Sequence, residues 1–227
     1  MKNNNTIFNQ FSEDYDTWYE TKMGKFVDEL ESEAIFSLLD LPENAMMLDV
    51  GCGTGNFTYK FADMGYSCVG IDIAGNMLKH AKAKQQDEKI QFIEMNAENT
   101  SFEDESFDCI ISVTAFEFMP YPDLIYKEMQ RLLKPNGSII IGTIQKGGSW
   151  YQLYTSDICK DTAYAKATFL SLEDLKNLDN NQVVDFKECL YLSPTLNEEE
   201  YDKQHEAEYK KKEDKGGFVC VKFKKKN

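Results

Sequence analysis

The sequence predicts an α/β protein with a mostly parallel sheet and helices on both of its faces. Short apolar runs alternate with helical patterns through residues 46–143, which is typical of parallel strands joined by crossover helices. A glycine-rich loop directly follows the first of these runs. The chain has 227 residues, 42% of them hydrophobic, which suits one domain with an ordinary core.

Residues 6–40 predict two helices. Aromatic residues recur at spacings of three and four between Phe8 and Tyr19, and an apolar series from Phe26 to Leu39 continues the pattern in a second helix. Packing into the core is the ordinary explanation of such a stripe.

The alternating units come next. The predicted order is strand 46–50, helix 55–64, strand 67–71, helix 75–86, strand 90–94, strand 107–112, helix 122–133 and strand 137–143. Right-handed crossovers would bring the carboxyl ends of the first, second and fourth strands around one crevice.

The remaining segments are less regular. Residues 145–180 contain a helix start, with Ser171 as the predicted N-cap. Residues 182–192 alternate and predict a strand, 198–212 predict a charged helix or a partly ordered loop, and 218–223 predict a final strand.

The glycine loop and the acid after the second strand are the most informative features. Asp49 precedes the spacing Gly51-x-Gly53-x-Gly55, where glycines let the backbone turn sharply and let a ligand lie on main-chain N–H groups. Asp72 ends the next strand and is placed to accept two hydrogen bonds from ribose hydroxyls. Together they predict a nucleoside-bearing cofactor. The alternatives are that the glycines only form a turn and that Asp72 only caps a helix.

The charge and spacing of the glycine loop indicate which nucleoside cofactor it suits. The dinucleotide fingerprint is G-x-G-x-x-G and presents a helix N-terminus to a pyrophosphate. The spacing here differs, and the Asp49 carboxylate would repel a pyrophosphate and suit a cationic amine. S-adenosylmethionine has ribose, adenine and an amino-acid end, without phosphate.

Five ordered segments resemble class I S-adenosylmethionine-dependent methyltransferases of the small-molecule, methyltransferase type 11-like kind. They are Leu48–Gly55, Ile71–Leu78, Asn96–Phe102, Ser106–Ser112 and Leu132–Ile139. Tyr15–Tyr19 is similar to an element that forms a lid over the cofactor in many small-molecule members.

The resemblance implies a Rossmann-like, seven-stranded sheet in the order 3-2-1-4-5-7-6, with the last strand antiparallel. It also implies one domain over residues 1–227, an N-terminal helical lid at 1–40 and a substrate-shaping insertion at 145–180. The implied reaction is in-line methyl transfer from S-adenosyl-L-methionine to a small-molecule acceptor, with S-adenosyl-L-homocysteine as product.

The resemblance also implies which residues contact the cofactor. They are Tyr15, Asp49, Gly51, Cys52, Gly53, Asp72, Ile73, Met77, Asn96, Ala97 and Val113. Asp49 and the glycines would lie at the amino-acid end, near Tyr15, and Asp72 would hold the ribose. Asn96 stands where many relatives have aspartate, which changes its hydrogen bonding to adenine because an amide both donates and accepts.

Methyl transfer from a sulfonium mainly requires proximity and alignment, and a base is needed only when the acceptor must lose a proton. Glu117, just past the fourth strand, is the weak catalytic candidate and could orient an amine or accept a proton. The alternative is that it binds a backbone N–H and shapes its loop. His80 and His205 are predicted surface residues, so no base is assigned. An aromatic set could line an apolar or cation-accepting pocket, namely Tyr15, Trp18, Tyr19, Phe116, Phe118, Trp150 and Tyr151.

Charge and composition limit the classes of partner that we expect this chain to bind. The formal net charge is −14 and Arg131 is the only arginine, so nucleic acid is a poor candidate. No apolar run is long enough for a membrane span, no signal core opens the chain, and the scattered cysteines indicate no metal site. We expect a cytoplasmic monomer or homodimer. Two alternatives remain open, a cofactor-binding or scaffold protein without turnover and a protein or RNA methyltransferase.

Overall fold

A single sheet organises the structure, a computed structural model that describes residues 8, 15–85 and 87–226, without the side chain of Tyr15. The strands are β1 (Met46–Val50), β2 (Ser67–Asp72), β3 (Ile90–Glu94), β4 (Phe107–Val113), β5 (Leu133–Ile144), β6 (Val183–Cys189) and β7 (Phe218–Lys224). Across these described residues the seven-stranded order is β3-β2-β1-β4-β5-β7-β6. Strands β1 to β5 pair in parallel, whereas β7 is antiparallel to both β5 and β6. The predicted order and the antiparallel last strand are confirmed.

Helices cover both faces of the sheet. They are α1 (Tyr15–Trp18), α2 (Lys22–Phe36), α3 (Asn56–Asp63), α4 (Gly75–Lys84), α5 (Pro122–Leu132), α6 (Ser149–Tyr154), α7 (Leu172–Lys176) and α8 (Lys203–Tyr209). Ile35 of α2, Phe61 of α3 and Leu78 of α4 belong to the core on one face. Met129 of α5 and Leu175 of α7 belong to the core on the other face.

Local chemistry fixes several helix ends. The Thr21 hydroxyl accepts a hydrogen bond from the Gly24 backbone N–H at 2.9 Å and so caps α2. Pro122 occupies the first turn of α5, where its missing N–H is not needed. Ser171 and Asp174 form a reciprocal capping box at α7, so the N-cap predicted at Ser171 is confirmed.

The start of one strand differs from the prediction. Strand β5 begins at Leu133 rather than at residue 137, because Leu133 already pairs with Phe107 across a register shift. The charged segment 198–212, predicted as a charged helix or a partly ordered loop, holds a short 3-10 turn and the helix α8.

The predicted lid region divides into two parts. Helix α2 buries Phe26, Val27, Leu30 and Ile35 in the core, and it packs against β6 and β7. Residues 15–20 precede it and approach the glycine loop. The part that lies against the predicted cofactor site is therefore the short segment before α2.

All six cysteines are free and buried, as expected for small apolar residues. Across the described residues, no helix combines the length and the apolar character needed to cross a bilayer.

Candidate cofactor and acceptor site

A cavity of about 530 Å³ opens at the carboxyl ends of β1, β2 and β4. Strand order reverses at β1, and ligands of parallel α/β sheets bind at such a switch point. The lining includes the acids Asp49, Asp72 and Glu98. No Lys, Arg or His side chain is among the described residues that line it. The cavity is therefore suited to a ligand that carries positive rather than negative charge.

The glycine loop brings the main chain to the cavity wall. The backbone N–H groups of Gly51 and Cys52 both donate to the Ile71 carbonyl, at 2.8 and 3.0 Å. Gly51 has a φ of +76°, and a Cβ added there would lie 2.5 Å from the Ala115 Cβ. Only glycine satisfies both the left-handed backbone and this close approach to the segment after β4.

Asp49 is buried at the floor of the site, 5% exposed. Its Oδ2 accepts a hydrogen bond from the Thr58 hydroxyl at 2.6 Å. Burial raises the pKa of Asp49 to about 7, and the charge of Asp72 adds to the rise while Thr58 opposes it. A bound cation would favour the ionised carboxylate and lower this pKa.

Asp72 connects the glycine loop to the start of α4. Its Oδ2 accepts from the Gly53 backbone N–H at 2.9 Å, and its Oδ1 accepts from the Ala74 N–H at 2.7 Å. Burial raises the pKa of Asp72, and these backbone donors oppose the rise. Ala74 is itself the N-cap residue of α4, and no side-chain hydrogen bond caps this helix, so the alternative that Asp72 only caps it stays a prediction. Each carboxylate oxygen has further acceptor capacity, so the predicted contact to ribose is compatible with these backbone contacts.

The predicted cofactor residues converge on this cavity. Those that line it are Asp49, Gly51, Cys52, Gly53, Asp72, Ile73, Met77, Asn96, Ala97 and Val113. Tyr15 was also predicted, and its side chain lies outside the described residues. Asn96 Oδ1 accepts from the Glu98 N–H at 2.9 Å, so this oxygen shapes its own loop. The contacts to a cofactor stay predictions.

Sequence reasoning missed several lining residues. They are Phe8, Thr54, Asn56, Phe57, Ile71, Met95, Glu98, Thr114, Ala115, Met119, Pro120, Tyr121 and Ile125. Most flank the predicted positions, so proximity in sequence to the motifs was the available signal. Phe8 is different, because its edge-to-face contact with Phe118, 4.8 Å between ring centroids, is long-range.

The N-terminal segment is tied to the glycine loop. The Thr54 hydroxyl donates to Asp16 Oδ1 at 2.6 Å, and Lys84 Nζ donates to Asp16 Oδ2 at 2.8 Å. Asp16 thus joins the loop after β1 to helix α4. Tyr19, a few residues further on, lines the cavity, so this segment forms part of its wall.

Glu117 does not line the cavity, although its neighbours Ala115 and Phe118 do. Its side chain is only 1% exposed, and neither carboxylate oxygen has a hydrogen-bond partner among the described residues. Burial raises the pKa of Glu117 to about 7, and Thr143 and the Ile144 backbone oppose the rise. These groups lie close without hydrogen-bond geometry, since the Thr143 hydroxyl is also unpartnered. The carboxylate of Glu117, the weak catalytic candidate, therefore lies behind the cavity wall.

A family model described as a methyltransferase domain matches residues 48–141, the segment that carries the glycine loop and Asp72. A solved structure from Thermotoga maritima, described as an S-adenosylmethionine-dependent methyltransferase and possible histamine N-methyltransferase, superposes with a TM-score of 0.77 at 24% identity, covering 97% of this chain and 99% of that one. This chain therefore carries a methyltransferase domain on the fold of S-adenosylmethionine-dependent methyltransferases.

Two curated relatives are similar to this chain in sequence. An uncharacterized protein of Methanocaldococcus jannaschii is 29% identical over 95% of this chain and 97% of its own length. A sterol 4-C-methyltransferase of Caenorhabditis elegans is 30% identical over 66% of this chain, but over only 46% of its own length. The methyltransferase described here therefore spans about half of that enzyme.

The predicted aromatic pocket is only partly present in this methyltransferase. Tyr19 and Phe118 line the cavity, and Trp18 and Tyr151 pack against the core. The expectation that Phe116 and Trp150 line a pocket is wrong, because both are buried in the core, 1% and 2% exposed. The Trp150 indole N–H also donates to the Leu192 carbonyl at 3.0 Å, which satisfies its one polar group.

Neither histidine of the methyltransferase lines the cavity. His205 lies on α8, where Nδ1 is 2.8 Å from Asp202 Oδ2, and this contact raises its pKa. The described residues also hold no group of three His, Cys, Asp or Glu side chains arranged for a metal ion. The described lining instead combines carboxylates and glycines with uncharged polar and apolar side chains.

Proposed function

We propose that this methyltransferase binds S-adenosyl-L-methionine in the cavity and transfers its methyl group to a small-molecule acceptor. The observation that carries the proposal is the charge of the lining. Asp49 and Asp72 face the cavity together with the glycine loop, and no cationic side chain is among its described lining residues. A sulfonium amino acid without phosphate fits such a lining, and a pyrophosphate does not.

The residues present fit the parts of this cofactor. Asp49 would bind the cationic amine, and the Gly51 and Gly53 backbones would lie beside the amino-acid end. Asp72 would accept hydrogen bonds from the ribose, and Ile73, Met77 and Ala97 would flank the adenine. When bound, the cofactor supplies an activated methyl group, and its transfer breaks the C–S bond with the electron pair remaining on sulfur.

The contribution of the protein is then alignment. The acceptor atom approaches with a lone pair, and a new bond to the methyl carbon forms as the bond to sulfur breaks. Phe118, Met119 and Tyr121 continue the lining beyond Val113, and they would position an acceptor and exclude water. An acceptor that must lose a proton would need a base.

Charge supports a small acceptor over nucleic acid. The only arginine, Arg131, is engaged internally, with bonds to Glu128, Asp104 and the Phe102 carbonyl. With a net charge of −14, the protein would repel a polyanion. The relationship to a sterol methyltransferase also supports a small-molecule acceptor.

Calorimetric titration with S-adenosylmethionine and S-adenosylhomocysteine tests the proposal, with NAD as the phosphate-bearing comparison. We expect micromolar binding of the first two and none of NAD. Asp72→Ala should raise Kd at least about tenfold, because hydrogen bonds to a charged group are lost. Asp63→Ala, on the exposed end of α3, is the matched control and should bind normally.

Two results would count against the proposal. Absence of binding by the wild-type protein would remove the cofactor claim. Binding followed by no labelled product from a broad acceptor screen would favour the alternative of a cofactor-binding protein without turnover.

A further inference from the structure

A small group of polar atoms behind the cavity wall has no partner. Both carboxylate oxygens of Glu117 and the Thr143 hydroxyl are buried and unpartnered among the described residues. Glu31 of α2 is also buried, 6% exposed. Burial raises the pKa of Glu31 to about 8, and the charges of Asp28 and Glu117 add to the rise while Lys60 opposes it. Two carboxyl groups and a hydroxyl therefore share one enclosed region.

Burial of these polar groups without hydrogen-bond partners destabilises the folded protein. Buried polar groups in folded proteins are nearly always hydrogen-bonded, and a buried charge is normally paired. Lys60 is the cation whose charge lowers the pKa of Glu31. Its ammonium group already forms an ion pair with Asp28 and a 2.8 Å hydrogen bond with Ser32. Lys60 is therefore engaged elsewhere, and among the described residues the Glu117 oxygens have acceptor capacity that no hydrogen bond uses.

Aromatic residues lie on the segments that adjoin Glu117. Phe118 follows Glu117 and lines the cavity, and its ring centroid is 5.6 Å from that of Tyr164. Tyr164 stacks on Tyr154 at 4.0 Å. The Thr168 N–H donates to the Glu117 carbonyl at 2.7 Å, which holds the 145–180 insertion against this turn. Aromatic faces beside a carboxylate are the surroundings that favour an organic cation.

The backbone of this turn also carries strain. Thr114, at the end of β4, has a φ of +47°, an uncommon value for a β-branched residue. Thr114 lines the cavity, and strained backbone of this kind concentrates at ligand sites. The strained residue therefore lies in the segment that leads from β4 into the turn of Glu117.

Building on the function proposed above, we propose that the methyl acceptor is a small aryl-alkyl amine whose ammonium group is bound by Glu117, with Thr143 and Glu31 as supporting polar groups. The ammonium group passes one proton to the Glu117 carboxylate, which leaves a lone pair on nitrogen for the bond to the methyl carbon. The Phe118 ring, which lines the cavity next to Glu117 in the chain, would turn aside to admit the ammonium group. The aryl part then packs on Phe118, Tyr154 and Tyr164. Glu117 is a specificity-determining residue, and the ammonium group supplies the donors that its oxygens lack.

The test compares two probes of the same shape, 2-phenylethylamine and 2-phenylethanol. Each is titrated into protein saturated with S-adenosylhomocysteine, and binding is followed by calorimetry. We expect the wild-type protein to prefer the amine by at least about tenfold, as a charge-assisted hydrogen bond requires. Glu117→Gln should abolish the preference and leave S-adenosylhomocysteine binding unchanged. Glu33→Gln, an exposed change on the same helix as Glu31, should keep it.

Each contrary result has a distinct meaning. Failure to bind S-adenosylhomocysteine overturns the proposed function. Normal binding of that compound with equal affinity for amine and alcohol, or with no affinity for either, overturns only the amine assignment. Retention of the preference by Glu117→Gln also overturns it. Should that variant not fold, Glu31→Gln is expected to reduce the preference severalfold, and an unchanged preference contradicts the proposal.

Discussion

The carboxylate of Asp16 and the hydroxyl of Thr54 are joined by a 2.6 Å hydrogen bond. Asp16 belongs to the segment before α2, whereas Thr54 is 1% exposed within the glycine loop. Lys84 pairs with the second Asp16 oxygen from α4. Movement of the N-terminal segment away from the cavity therefore has to break a buried hydroxyl contact and an exposed ion pair.

We expect Thr54→Val to speed dissociation of S-adenosylhomocysteine about fivefold, because the bond from the hydroxyl to a charged acceptor is lost at nearly constant volume. Stopped-flow displacement measures this rate. Lys84→Met is the control and should change the rate less than about threefold, since exposed ion pairs contribute little. Equal rates in Thr54→Val and the wild-type protein would contradict a closing role for this contact.

Two glycines with positive φ provide a matched pair of substitutions. Gly51→Ala adds a Cβ that would lie 2.5 Å from the Ala115 Cβ, whereas Gly65→Ala has a φ of +95° and no atom within 4 Å of the new Cβ. Gly65→Ala should lower the free energy of unfolding by about 1–2 kcal/mol through backbone strain alone. Gly51→Ala should lower it by about 3 kcal/mol or more, because steric overlap is added. Urea unfolding compares them, and equal losses would show that the close approach is unimportant.

Stability should fall as pH rises from 5 to 8. The folded-state pKa is about 8 for Glu31, about 7 for Asp49 and about 7 for Glu117, all raised from ordinary values of 4.5, 3.8 and 4.5. The folded protein therefore holds protons that the unfolded chain releases. The stabilisation is complete below about pH 4 and is lost as pH passes through the folded-state values.

Glu117→Gln should remove the share of this pH dependence that Glu117 contributes, a loss of stability of about 3 kcal/mol between pH 4 and pH 8 for a pKa raised from 4.5 to about 7. Urea unfolding at pH 5, 6, 7 and 8 should give a shallower pH slope than that of the wild-type protein. The difference should be at most about 1.4 kcal/mol per pH unit, the limit for one proton. Identical slopes would mean that Glu117 is solvated or paired in solution.

Arg131 organises the loop that follows the predicted adenine contacts. Its Nε and Nη2 bind the two oxygens of Glu128 at 2.9 and 2.6 Å, and Glu128 Oε1 accepts from the Thr100 N–H at 2.9 Å. Arg131→Lys should lower the free energy of unfolding by about 1–3 kcal/mol, because an ammonium group cannot replace the two-pronged contact. Lys127→Gln, exposed on the same helix, should have little effect. A small loss in Arg131→Lys would mean that the loop is held by other contacts.

The positions that sequence reasoning located best are those fixed by local pattern and parallel topology. Asp49 and Asp72 end neighbouring parallel strands, so their side chains reach the same edge of the sheet. Gly51 directly follows β1, and the tight turn at this point requires its positive φ. Strand ends and glycine turns are short-range features, which explains why the prediction and the structure agree there.

The positions that sequence reasoning located least well depend on long-range packing. Glu117 was the weak catalytic candidate, and the 3-10 turn Phe116–Phe118 carries its carboxylate behind the cavity wall, so its role stays a prediction. Trp150 was expected in a pocket, but its indole N–H is satisfied by Leu192, from a distant part of the chain. Both outcomes are decided by tertiary partners that a local pattern does not reveal.

The place of β7 in the sheet has a consequence for biosynthesis. β6 joins the sheet only through β7, which lies between it and β5. The strands that surround the cavity, β1, β2 and β4, emerge from the ribosome well before residues 218–224. Strands β1 to β5 can therefore pair with one another before β7 is synthesised, whereas the outer edge of β5 stays unpaired until β7 has emerged. A nascent chain that ends before β7 would expose this edge to chaperones and proteases.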